Sequence, residues 1–140
     1  MLKTALSFNR TQWRHFGAAL LLLPRIDVRL RRHGYAPTRA WIEREIAKDR
    51  EARVFQDEMA FSRDIAIAVN VAGRRSFWPT SCLRQALALR YFLGRYGVES
   101  ELRIGVRGGQ RDFAAHAWVE KNGVVLIGGE YAGERYVALT

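Results

Sequence analysis

The chain has 140 residues, 49% of them apolar, with 23 Lys/Arg against 14 Asp/Glu and one cysteine. That length suits one domain with a real core; a lone cysteine excludes an internal disulfide framework and a multi-thiolate zinc site, and points to a reducing compartment. The net charge of +9 is uneven, with 15 basic and 8 acidic residues in 1–75 and 8 and 6 in 76–140.

The first predicted element is a helix from Thr11 to His33, adjusted at Pro24 and stopped by Gly34. Its apolar run Phe16 to Leu23 is far shorter than the ~20 residues that span a bilayer, and Pro24-Arg25-Ile26-Asp27 is no signal-peptide cleavage site. The run reads as buried helix, with a peripheral membrane or partner-docking face as the second reading. The stretch Arg25 to His33 is the most basic in the chain. Arg29, Arg31 and Arg32 are candidates for docking a partner, against the plainer reading of a solvated face. Nucleic acid is disfavoured, because no reader motif or interleaved stacking aromatics accompany the arginines.

A second helix is expected after Pro37-Thr38, carrying Trp41, Ile42, Glu45 and Ile46 at helical spacing. A third is expected over roughly Glu51 to Val71, with Phe55, Met59, Ile65 and Val69 inward and Gly73-Arg74-Arg75 at its end. Residues 1–75 thus read as a helical N-terminal part and 76–140 as a mixed core, together one domain.

The second half opens with Trp78-Pro79-Thr80-Ser81, two good N-cap residues after a proline, so a helix starts at Thr80 or Ser81 and runs to Tyr96, with Gly97 at its C′ position. Cys82 falls in the first turn. Cys82, Ala86, Leu89 and Leu93 recur at three- and four-residue steps, so the thiol lies on an inward stripe. A thiol there feels unpaired N–H groups and the positive end of the helix dipole, which favours the thiolate. The alternative is a small buried apolar side chain.

Four short strands follow: Glu101 to Val106, Phe113 to Glu120, Val124 to Ile127 and Tyr136 to Leu139. Asn122-Gly123 predicts a type I′ hairpin pairing Lys121 with Val124. Counting outward, His116 falls opposite Gly129, and His116, Trp118 and Glu120 share a face with Val125, Ile127 and Gly129. His116, 34 residues after Cys82, is the candidate base for the thiol, and Trp118 beside it could shield it from water. Asp112 and Glu120 lie four residues away on the same strand, about 13 Å, too far to orient the imidazole. Glu130 has the wrong parity unless a bulge, expected at Gly128-Gly129, turns it round. The Cys82 N–H and a donor between Trp78 and Ser81 are candidates for an oxyanion site.

Ser81-Cys82-Leu83-x-x-Ala86-Leu87, the strand Leu102 to Val106, and Phe113-x-Ala115-His116-Ala117-Trp118-Val119-Glu120-x-x-Gly123 together resemble the transglutaminase-like cysteine peptidases of lasso-peptide biosynthesis, closest to the standalone leader-peptidase form of the B protein. The motifs cover residues 76–140. The resemblance implies an α+β, papain-like core, in which the nucleophile's helix packs on a small antiparallel sheet behind a helical N-terminal layer. It implies Cys82 as nucleophile, His116 as base and no cofactor. The implied work is removal of the leader from a ribosomally made precursor in the bacterial cytoplasm. Implied partners are the precursor, a small leader-recognition protein of winged-helix-like fold, and an ATP-dependent asparagine-synthetase-like cyclase that uses the exposed amine. The chain departs from the family where an aspartate commonly follows the histidine by twelve residues, since that position is Gly128; Glu130, a carbonyl or water would take its place. Two rivals stay open: acyl transfer by the same thiol to an amine, and a basic adaptor with an inert cysteine.

Overall fold

A computed structural model describes residues 7–51, 53–75, 82–107, 114–127 and 137–138; the side chains of residues 75, 106–107, 114–116 and 137–138 are not among those described. Four helices, α1 (Arg10–His33), α2 (Tyr35–Asp49), α3 (Glu58–Arg75) and α4 (Cys82–Arg95), precede the strands β1 (Glu101–Arg107), β2 (Ala114–Lys121), β3 (Val124–Ile127) and β4 (Val137–Ala138). The sheet is antiparallel with order β3-β2-β1-β4. The expected α+β architecture is therefore present.

Helix α1 begins in a capping box. Asn9 Oδ1 accepts the Gln12 N–H and Gln12 Oε1 accepts the Asn9 N–H, each at 2.9 Å, so two donors of the helix start are satisfied locally. Asp64 of α3 takes a further N–H from each amide, at 3.0 and 3.2 Å. Pro24 stands inside the helix without ending it. The lost bond to the Leu20 carbonyl and the ring's crowding of it cost about 3 kcal/mol or more, against which the complete burial of Leu23 and Ile26 works. Gly34 then stops the helix at φ 81°, its N–H still donating to the Leu30 carbonyl.

Three expected boundaries move. Helix α2 starts at Tyr35 rather than after Thr38, because Pro37 is tolerated in a first turn, where its missing N–H would have no partner. Helix α3 starts seven residues later than expected. The Glu51 N–H donates to the Arg95 carbonyl at 2.6 Å instead of to a helical partner, and Asp57 caps the true start by accepting the Ala60 N–H at 3.0 Å. Phe55 still packs inward, its ring 4.8 Å from that of Phe61. At the other end, α3 runs through Gly73 to Arg75, since one glycine costs a helix only about 1 kcal/mol.

Helix α4 is the hub, packing against all three other helices, β1 and β2. Ala86, Leu87, Ala88, Leu89 and Leu93 have no exposed surface. Its C-terminus is a Schellman motif: Gly97 has φ 75°, its N–H donates to the Gly94 carbonyl at 2.9 Å, and Val98 N–H donates to the Leu93 carbonyl at 2.9 Å. Buried Val98 and Leu93 complete it. The chain is thus turned directly into β1. Leu102, Ala117, Val119 and Ile127 are the sheet's share of the core.

The Asn122-Gly123 hairpin forms as the sequence predicts, with φ 51° and 79° and Lys121 opposite Val124. Its register then breaks earlier than expected. Val125 faces Glu120, but Ile127 faces Val119, which leaves Leu126 as an extra residue. The bulge therefore sits at Leu126, ahead of Gly128-Gly129. It moves Ile127 from the parity of Trp118 to that of Val119, where it is buried in the core. No described helix is long and apolar enough to cross a membrane.

Candidate active site

Cys82 is the first residue of α4 and is half-buried against the core. Leu83 through Leu93 supply the apolar stripe that presses α4 onto the sheet, so the first-turn side chain is carried to the strand beside it. There Cys82 Sγ accepts the backbone N–H of Ala117 at 3.3 Å. This bond fixes the sulfur against the residue that follows His116. A sulfur carrying negative charge is the better acceptor of such a donor.

His116 is set in β2 opposite Gly105 of β1. Glycine there leaves the neighbouring strand without a side chain at the histidine's paired position. The strand on the other side reaches only to Ile127 opposite Val119 among the described residues.

Trp118 is buried, and its indole N–H donates to Glu120 Oε1 at 2.8 Å. Glu120 Oε2 accepts from Arg103 Nε at 2.9 Å, and Arg103 also pairs with Glu101. The Glu120 carboxylate is therefore committed along its own strand and to β1.

Trp78, Ser81 and Glu130 lie outside the described residues. Of the basic candidates, Arg29 stacks over the Trp41 ring with its guanidinium 4.0 Å from the centroid. Arg31 Nε pairs with Asp27 at 3.1 Å, and Arg32 is exposed.

Two features near the site escape sequence reasoning. Asp27, only 12% exposed at the side chain, takes Arg31 on one oxygen and Arg84 Nε on the other. Arg84 is two residues from Cys82, so a carboxylate of the basic helix grips the first turn of α4. The partners are 57 residues apart; the one available signal was a lone acid within the Arg25–His33 run. The second is the Ala117 N–H itself, a backbone group that no side-chain motif advertises.

A cavity of about 370 Å3 lies at the far end of α4, lined by Arg50, Arg90, Glu99 and Lys121 among others. It is remote from the thiol and has mixed charge, so it is no part of this site.

A profile described as transglutaminase-like superfamily matches residues 22–140 of the chain. Neither the curated proteins nor the solved structures furnish a match. The matched span takes in Cys82, Ala117 and all four strands.

Proposed function

The chain belongs to the transglutaminase-like superfamily, and from that premise we propose that it is a cysteine peptidase that removes the leader from a ribosomally made lasso-peptide precursor. The observation that carries the reading is the contact of Cys82 Sγ with the Ala117 N–H, which sets the only thiol of the chain one residue from its candidate base.

In this reading His116 takes the Cys82 proton as sulfur attacks the scissile carbonyl. The Cys82 N–H at the head of α4, with a donor from the Trp78 to Ser81 stretch, receives the developing oxyanion. The C–N bond breaks, the leaving amine takes the proton from His116, and an acyl thioester remains on Cys82. Water, deprotonated by His116, attacks the thioester; the acid departs and the thiol regains its proton. The released amine is the core peptide's new N-terminus, which the separate ATP-dependent cyclase would consume. Trp118 lies two residues along the strand from the base and helps keep that part of the sheet dry. Glu130 is proposed to orient His116; the one-residue slip at Leu126 supplies a change of parity of the kind it requires.

Incubating wild type and Cys82→Ala with a candidate precursor, with and without a small recognition protein, and weighing the products tests this. Two fragments from wild type and intact precursor from Cys82→Ala are expected. Cleavage by Cys82→Ala at the wild-type rate would end the proposal, and a product joined to an added amine would assign acyl transfer instead.

A further inference from the structure

The middle of α1 is apolar all round. Ala19, Leu22 and Leu23 face inward and are buried, while Leu20 and Leu21 face outward, Leu21 with 75% of its surface exposed. A helix that is apolar on every side is normally covered on every side; among the described residues only the inner half has a cover. Of seven large apolar side chains exposed among the described residues, four are on α1: Trp13, Leu20, Leu21 and Val28.

The outer surface also has a definite charge pattern. At 3.6 residues per turn, Arg14, Leu21, Arg25, Val28 and Arg32 fall within one narrow line along the helix, about 27 Å long. All five are exposed and none is acidic. Beside the line, between α1 and α2, opens a cleft of about 220 Å3 with Leu22, Arg25, Trp41 and Ile42 among its walls. Its acidic members, Glu45 and Asp49, stand away from the line on α2, and Asp49 already accepts the Tyr91 hydroxyl at 2.7 Å.

We propose that this face of α1 docks an acidic, amphipathic protein segment, whose carboxylates meet Arg14, Arg25 and Arg32 and one of whose large apolar side chains enters the cleft over Trp41. The arginines alternate with Leu21 and Val28 along the same line instead of flanking an apolar face. That suits a partner helix with interleaved acids and leucines and does not suit a lipid surface, which needs the two kinds of residue on opposite faces. The socket beside the line favours a side chain for the same reason. Arg31 pairs with Asp27 and Arg29 lies closely over Trp41, so both serve the fold; Arg25 stands farther over the same ring, its guanidinium 5.6 Å from the centroid, and is exposed. The proposal is independent of the chemistry assigned to Cys82.

The test uses the full chain and an 18-residue fluorescein-labelled helical peptide of glutamate and leucine, with leucines at three- and four-residue steps, read by anisotropy. A lysine-for-glutamate version of the peptide and vesicles of phosphatidylglycerol or phosphatidylcholine run in parallel. Saturable binding of the acidic peptide is expected. It should weaken at least tenfold in Leu21→Asp, and likewise in Arg14→Glu/Arg32→Glu, with the melting temperature and the alkylation rate of Cys82 unchanged in both. It should also weaken between 0.15 and 0.5 M salt. Absence of binding, equal binding of the lysine peptide, indifference to both variants, or binding to phosphatidylglycerol vesicles in place of the peptide would each overturn the proposal.

Discussion

Cys82 Sγ and the backbone N–H of Ala117 meet at 3.3 Å, so the start of α4 is tied to the strand that carries His116 by the thiol itself. The relationship makes the sulfur's environment dependent on the sheet. Removing the imidazole by His116→Ala should leave the N–H contact in place but lower precursor cleavage by about 100- to 10,000-fold, the usual worth of a general base. Alkylation of Cys82 by iodoacetamide should slow as well. Unchanged rates of both would detach His116 from the thiol's chemistry.

Glu130 gives a second, sharper expectation. If its carboxylate orients the imidazole, Glu130→Gln should reduce kcat by about 10- to 100-fold, as loss of a hydrogen-bonded supporting group does, with an unaltered urea midpoint. A shifted midpoint with unchanged kcat would make it a structural residue.

Asp27 should matter more to stability than a surface carboxylate does. Its two oxygens hold Arg31 and Arg84, and the Arg84 side chain is only 20% exposed. Asp27→Ala leaves that guanidinium half-buried without its carboxylate and should cost about 2 kcal/mol in urea denaturation. Arg31→Ala, whose side chain is 68% exposed, should cost under about 1 kcal/mol. Similar costs for the two would show that the Asp27–Arg84 bridge contributes little.

How much of this was legible depended on whether a feature's cause is local. Asn122-Gly123 dictates its own positive φ values, Gly34 and Gly97 end their helices by theirs, and the stripe from Cys82 to Leu93 repeats within one helix; all were readable. The start of α3 was not, because the competing bond from Glu51 N–H goes to Arg95, which no window of neighbouring residues contains. The bulge sits at Leu126, two residues ahead of the Gly128-Gly129 pair that the sequence favours. Glycines permit a bulge, but the slip brings Ile127 into the core, and only the packed helices reveal that advantage. Asp27–Arg84 was hidden by the arginines around Asp27, which made its carboxylate look like a counter-charge within its own helix.

Gly94 offers a test of how tightly α2 presses on α4. A Cβ added there would stand 2.7 Å from Ile46 Cδ1 and 2.9 Å from both Cγ1 and Cγ2. Three atoms of one buried, branched side chain cannot all swing aside together. Gly94→Ala should therefore destabilise by about 1–3 kcal/mol despite its better helix propensity. Ile46→Ala should cost about 2–5 kcal/mol alone. The double variant should be more stable than the sum of the two predicts, because the new methyl enters the space Ile46 vacates. Strict additivity would mean that the two helices relax apart instead.

His15 sets a pH dependence of the fold that is separate from catalysis. Its Nδ1 lies 2.8 Å from the Thr11 carbonyl, which can only accept, so Nδ1 carries the proton; Nε2, 3.0 Å from the Tyr96 hydroxyl, then accepts in the neutral ring. Burial pushes the imidazole below its ordinary 6.5, opposed by the Thr11 bond and reinforced by Arg14, Arg95 and Arg53. The unfolded chain, with His15 near 6.5, thus binds a proton at a higher pH than the folded one does. By linkage the contribution is fully present above about pH 6.5 and is lost as pH falls through the lowered folded value. Unfolding free energy from urea titrations should accordingly drop between pH 7 and 5. His15→Phe should lose stability at pH 7, since the Tyr96 hydroxyl is left with no acceptor at that position, and should show a shallower acid slope. An acid slope equal to wild type in that variant would move the effect to another group.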